Sequence, residues 1–205
     1  MTGNLNTVKT ASRGYHHGAL RAALLDAAEA VIAERGVDGF SLREAARRAG
    51  VSPAAPAHHF GDVRGLLTEI AALAFEGLAA ALEAADVSVE GADRQARMVA
   101  QGGAYVRFAL ANRARFDLMW RSALLDPAHA RYAAAASRAY AVLERGALGA
   151  VAPRPAGIEQ AAPIAAWSIV HGFARLLIDD AMPAIDPEAA DIDRLLPAVL
   201  AHLSI

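Results

Sequence analysis

Cysteine is absent from the chain, which removes disulfides, thiolate zinc sites and cysteine nucleophiles together. That absence fits a reducing cytoplasm. The first fifteen residues, Met1 to Tyr15, contain no apolar run, so no signal peptide is expected. The most apolar later stretch, Ala161 to Ile178, is interrupted by His171 and Arg175 and is short for a bilayer span. A soluble, cytoplasmic protein is expected. No segment alternates apolar and polar residues at period two, which argues against strands. There is no internal repeat. No nucleophile–base pair or carboxylate pair has a reason to be close, since Asp179, Asp180, Asp191 and Asp193 sit near helix ends as surface or capping groups. An enzyme and a cofactor are therefore not expected. His16-His17 and His58-His59 lack the helical His-x-x-x-His spacing, and adjacent helical side chains point apart, so no metal site is expected either.

Charge of one sign is also lacking. The net charge is −2 over 205 residues, but its distribution is uneven. Residues 1–65 carry eight basic groups (Lys9, Arg13, Arg21, Arg35, Arg43, Arg47, Arg48, Arg64) and six acidic ones (Asp26, Glu29, Glu34, Asp38, Glu44, Asp62). The N-terminal part is thus +2 and the remainder −4, the sign expected if only the first part approaches phosphates.

What is present is helix. The chain is 55% hydrophobic, enough to bury a substantial core in one or two domains. Leu20, Leu24, Ala27, Ala28, Val31 and Ile32 form one helical stripe that Gly36 closes. Ser41 and Glu44 have capping-box spacing at the start of a short second helix. Ser52-Pro53 reads as the start of a third helix ending near Phe60-Gly61, with Pro56 disturbing its first turn. Asp62 caps a longer fourth helix carrying Leu66, Leu67, Ile70, Ala74, Leu78 and Leu82. Beyond a linker at Asp86 to Gly91, helices are expected at about 92–111, 113–125, 128–150, 157–181 and 188–203, with breaks at Asn112, Asp126-Pro127, Pro153 to Gly157 and Met182 to Pro187.

The informative stretch runs from Phe40 to Phe60. Two short helices meet at Ala49-Gly50-Val51-Ser52, where glycine permits the tight turn of a helix-turn-helix and Ala45 allows a close crossing. In that motif the second helix enters the major groove, and an amide-rich helix start such as Ser41 holds a phosphate. From spacing alone, an ordinary amphipathic helix pair in a bundle fits equally well.

Resemblance separates the two. Tyr15-His16-His17-Gly18, Ala22 to Ala28, Gly36 to Arg43 and Ala49 to Phe60 resemble the TetR family of repressors over residues 15–70. Trp167-Ser-Ile-Val-His171-Gly172 resembles the Trp–His–Gly signature of one class of TetR C-terminal domain. The resemblance implies an all-α homodimer. A flexible arm (1–14) would precede a three-helix DNA-binding domain (15–61), and a helical ligand-binding and dimerisation domain (62–205) would follow, entered through a connecting helix (62–85). It implies a transcriptional regulator, a repressor released from its operator by a small molecule. It nominates Arg43, Pro53, Ala54, Ala55 and His59 for DNA contacts; the expected DNA surface also takes in Ser41, Ser52, Ala57, His58 and, as a partial substitute for a lysine missing at residue 63, Arg64. Three positions depart from the family pattern: Ala57 stands where relatives carry an aromatic, commonly tyrosine, Val63 where they carry lysine, and Ala19 where the nearest subgroup carries aspartate. The first two weaken the expected grip on phosphates. They motivate an alternative, a ligand-binding or interaction dimer with reduced DNA binding.

In the C-terminal part, Tyr105, Phe108, Trp120, Trp167 and His171 form the candidate ligand site. They suit a small apolar or aromatic ligand with few polar groups. Each also fits plain core packing, with His171 bonded to a backbone carbonyl. The last two helices, with Ile169, Phe173, Leu176, Leu196 and Leu200, are the expected homodimer interface.

Overall fold

The computed structural model describes residues 11–148, 160–182 and 191–202. Among these residues there are nine α-helices and no strand: α1 (Ala11–Arg35), α2 (Leu42–Arg48), α3 (Ala55–Phe60), α4 (Val63–Ser88), α5 (Arg94–Ala111), α6 (Arg113–Met119), α7 (Ala130–Leu148), α8 (Ala161–Ile178) and α9 (Asp191–Ala201). A 3-10 turn at Ser122–Leu124 follows α6. Residues 1–10 of the expected arm and the breaks at 153–157 and 183–187 lie outside the described residues. The first helix begins at Ala11, inside the segment expected to be arm.

Local chemistry sets the boundaries of the N-terminal helices. The Ser41 hydroxyl accepts the Glu44 amide at 3.4 Å, the expected cap. The reciprocal half of the capping box is missing, because the Glu44 carboxylate is drawn instead to Arg47 and Arg48. Gly50 takes φ +67, the left-handed conformation that ends α2 without a Cβ penalty. The Val51 amide then returns to the Ala46 carbonyl at 3.0 Å. The third helix starts later than Ser52-Pro53 suggests. Were Pro53 its first residue, Pro56 would stand where the first intrahelical amide is required. Starting at Ala55 instead moves Pro56 into the first turn, whose amides have no helical partner. Residues 52–54 form a turn, with the Ala55 amide bonded to the Ser52 carbonyl at 3.0 Å.

The spine is α4. The Asp62 side chain caps it by accepting the Gly65 amide at 2.8 Å. Its buried face (Leu66, Leu67, Ile70, Ala74, Phe75, Leu78, Leu82) packs against α5, α6 and α7, and its first turns carry α3. By length and composition α4 and α8 could each cross a membrane, but 61% of the apolar window of α4 is buried inside the protein.

The last two helices correct one expectation. Phe173, Leu196 and Leu200 are 8%, 1% and 1% exposed within the single chain, so they are core and not surface awaiting a partner. Gly102 of α5 makes this possible: an added Cβ would lie 3.2–3.4 Å from Leu200, Leu196 and Val170 side-chain carbons. The bare backbone lets α9 and α8 settle onto α5. What α8 leaves outside is a different face, with Ile164 46% and Leu176 45% exposed. Ile169 is half-buried.

Candidate DNA interface and ligand site

Four arginines and two carboxylates surround the first helix of the motif. Arg47 and Arg48 each hydrogen-bond Glu44 at 2.8–2.9 Å, and Arg48 also holds Glu34 at 2.6–2.7 Å. Arg35 lies 3.8 Å from Glu44. Hydrogen bonds from Arg47 and Arg48 lower the Glu44 carboxyl to about 2, so it stays ionised and satisfied. Arg43, one position earlier, is exposed and bonded to no other described residue. A shallow cleft of about 580 Å³ gathers Arg43, Ser41, Arg47 and Pro53. The fixed pairs thus orient α2 and leave the Arg43 guanidinium available.

Beside it, Ser52, Pro53, Ala54, Ala57 and His58 are exposed, while Ala55 and His59 are half-buried. Pro56 turns inward. Of these, Pro53 lines the same cleft as Ser41 and Arg43. Arg64 does not join it. Its Nε and Nη2 donate to the Leu125 carbonyl at 2.9 and 2.6 Å, which draws the guanidinium toward the loop after α6. Val63 is 41% exposed and offers no charge. Arg35 and Arg47 also line the cleft, and sequence reasoning did not single them out. The signal was there for Arg47, four positions from Arg43 and therefore on the same helical face.

The junction between this head and the helices behind it is specific. Thr68 donates to the Arg64 carbonyl at 2.7 Å and accepts the Asp126 amide at 2.9 Å. Together with the Arg64–Leu125 bonds, this ties the first turns of α4 to the loop that follows α6. Arg21 of α1 bonds Glu69 of α4 at 2.7 Å and lies 5.1 Å over the Phe60 ring. Arg115 of α6 reaches Glu29 of α1 at 2.8 Å. A charged, open groove of about 1060 Å³ runs along this seam, beside Asp26, Glu29, Arg113 and Arg115. None of the candidate ligand residues lines it.

Four of the five candidate ligand residues come together. The Tyr105 hydroxyl lies 2.9 Å from His171 Nδ1, and Trp167 Nε1 donates to the same hydroxyl at 3.3 Å. With the indole donating to the tyrosine oxygen, the tyrosine O–H is assigned to donate to Nδ1, which places the imidazole proton on Nε2. Burial first, then the positive charge of Arg175, lowers the His171 pKa, in keeping with a neutral ring. Burial raises that of Tyr105. His171 stacks on Phe116 with ring centroids 5.4 Å apart and meets Trp120 edge-on at 5.1 Å. Trp120 also lies 5.4 Å from Trp167. Its Nε1–H is, among the described residues, the one buried side-chain polar atom with no hydrogen-bond partner. Phe108 stands apart, packed on α4 where an added Cβ at Gly77 would lie 3.1 Å from its ring. The expected carbonyl partner for His171 is replaced by Tyr105, and Phe116 joins the group, which helical spacing alone did not single out. The cavity that touches Trp167, beside Met98, Gln101, Leu143 and Val170, holds only about 20 Å³, near the size of one water. Among the described residues no group of three or more histidines and carboxylates is arranged for a metal.

The fold recurs in known proteins. Residues 24–70 match the model for bacterial regulatory proteins of the tetR family, and residues 98–203 match that for the tetracyclin repressor-like C-terminal domain. A solved structure of a protein of unknown function from Rhodococcus sp. RHA1 is 35% identical, with 93% of this chain and 98% of that one covered and a TM-score of 0.70. The TetR family transcriptional regulator PfmR from Thermus thermophilus is 27% identical over 89% of this chain and 99% of its own, with a TM-score of 0.61. RolR, solved in complex with resorcinol, shares the fold at 22% identity, covering 94% of this chain and 91% of its own, with a TM-score of 0.55. No curated protein matches the chain in sequence. The helix-turn-helix around Gly50, the helical body behind it and these matches agree: the chain belongs to the TetR family of transcriptional regulators.

Proposed function

We propose that the protein is a cytoplasmic, homodimeric repressor that a small apolar or aromatic ligand releases from its operator. Ser41, Arg43, Ser52, Pro53, Ala54, Ala55, Ala57, His58 and His59 are its DNA surface. The exposed apolar face of α8 around Ile164 and Leu176 is the surface a second copy covers. Two recognition helices then read half-sites about one helical turn apart. Tyr105, Trp120, Trp167 and His171 line the ligand site, which opens as the ligand enters.

The observation that carries ligand sensing is the unpartnered Trp120 Nε1–H. Leaving a buried donor unsatisfied costs about 1–3 kcal/mol, and a ligand oxygen bonded there recovers it. Trp120 ends α6, and the loop that follows holds Arg64 and Thr68 of α4. A ligand that moves Trp120 therefore favours a different position of the head, provided its affinity differs between the two head arrangements. The test is to add small aromatic compounds to the protein–operator complex. A compound that quenches tryptophan fluorescence should release the DNA from the wild type and act more weakly on Trp120→Phe. Compounds that bind at these tryptophans without any effect on DNA affinity would refute ligand release.

One group of observations favours the second reading, a ligand-binding dimer with reduced DNA affinity. Ala57 and Val63 are exposed without a phosphate-binding group, and Arg64 is committed to Leu125. If that reading holds, Val63→Lys should tighten binding and steepen the salt dependence by about 0.9 in log–log slope, one phosphate contact. Unchanged affinity and slope would show that residue 63 does not face a phosphate.

A further inference from the structure

The N-terminal end of the recognition helix carries almost nothing that can form a hydrogen bond to a base. The turn leading into α3 exposes Ser52, Pro53 and Ala54, and the helix itself exposes Ala57, with Pro56 buried behind them. Ala54 and Ala57 are three residues apart and share a face. His58 belongs to the same face but lies at the C-terminal end of a six-residue helix. In this docking geometry the first residues of the second helix meet base edges. The usual readers, arginine on guanine and asparagine or glutamine on adenine, are missing from this end of the helix. Its methyl and methylene groups have one complementary feature in the major groove, the C5-methyl of thymine. The Ser52 hydroxyl bonds to more than one base and discriminates little.

We infer that this regulator reads its operator at the recognition helix through thymine methyl groups, packed against Pro53, Ala54 and Ala57, while Arg43 on α2 supplies the charged contact. The inference rests on the DNA-binding reading above and specifies the half-site: at least one thymine lies under α3. The short side chains have a second consequence. With no long side chain to bridge a gap, the helix must lie close to the groove floor for its Cβ atoms to touch base edges. Bulk added at Ala54 or Ala57 should then lift it away.

The experiment uses the full-length protein and an operator obtained by selection from random duplexes. That operator is resynthesised with deoxyuridine for every thymidine in the half-sites, which removes the methyl groups and keeps the Watson–Crick pairing. One buried methyl is worth about a fourfold change in affinity, so a dimer losing one contact per half-site should bind about sixteenfold more weakly. Deoxyuridine placed only in the flanks should change nothing. In the double variant Ala54→Gly, Ala57→Gly the ratio between thymidine and deoxyuridine operators should fall toward the contribution of Pro53 alone. The ratio is taken within each protein, so lower helix stability in the glycine variant does not imitate the effect. An operator bound equally well with and without its half-site methyl groups overturns the inference and leaves DNA binding standing. A ratio unaltered by the glycine substitutions overturns its assignment to these alanines. If no sequence is enriched at all, it is the DNA-binding reading itself that fails.

Discussion

Arg43 differs from the arginines around it in a single respect, its freedom. Arg47 and Arg48 are bonded to Glu44 and Glu34, whereas Arg43 points outward beside the turn that starts the recognition helix. Arg43→Ala should therefore weaken operator binding by about 1–3 kcal/mol if the guanidinium reads a base, with the thermal transition unmoved. Anisotropy titrations on the selected operator measure this. Equal affinity and equal sequence preference in the folded variant would remove Arg43 from the interface. His171 gives a prediction of another kind. Its folded pKa lies below the ordinary histidine value, through burial and the Arg175 charge. The unfolded chain then binds the proton more tightly, and the neutral ring's contribution is complete above about pH 6.5. It is lost as the pH falls through that value toward the folded pKa. Melting temperatures from pH 7.5 to 5 should fall more steeply in the wild type than in His171→Gln. Parallel curves would mean that the ring titrates alike in both states.

The helices themselves were legible wherever their determinants were local. Ser41, Gly50 and Asp62 mark ends that hydrogen bonds to near neighbours enforce. The start of α3 was misplaced because two prolines compete and only one can occupy a first turn; Pro56 wins, and Ser52-Pro53 becomes the turn. What sequence does not convey is which neighbour an apolar stripe meets. Leu196 and Leu200 repeat every four residues, as an interface would, but Gly102 offers them a seat within the same chain. Arg64 is similar: helical geometry gives its angular position, yet its partner is a carbonyl 61 residues away. The corrected assignment separates two substitutions. Leu196→Ala should cost about 2–5 kcal/mol of stability as a core cavity without altering the oligomeric state. Leu176→Glu, on the exposed face of α8, should yield folded monomers. Sedimentation with thermal melting distinguishes them, and a monomer from Leu196→Ala with undiminished stability would restore the original interface.

At the scale of the whole molecule, the small positive excess at the N-terminal end and the acidic remainder match a division of labour. The asymmetry has the sign expected if only the N-terminal end approaches phosphates. The aromatic group around His171 and the α2–α3 surface lie on different helices, connected through α6, the loop bonded to Arg64 and Thr68, and the first turns of α4. Repression and its release by a ligand both depend on whether that α2–α3 surface recognises a sequence. The most direct test compares the protein's affinity for its selected operator with that for a scrambled duplex of equal length, over a range of salt concentrations. Sequence-specific recognition predicts at least about a thousandfold preference at physiological salt, with log K falling linearly in log salt on both duplexes. Equal affinities for the two duplexes, or no measurable binding even at low salt, would contradict it.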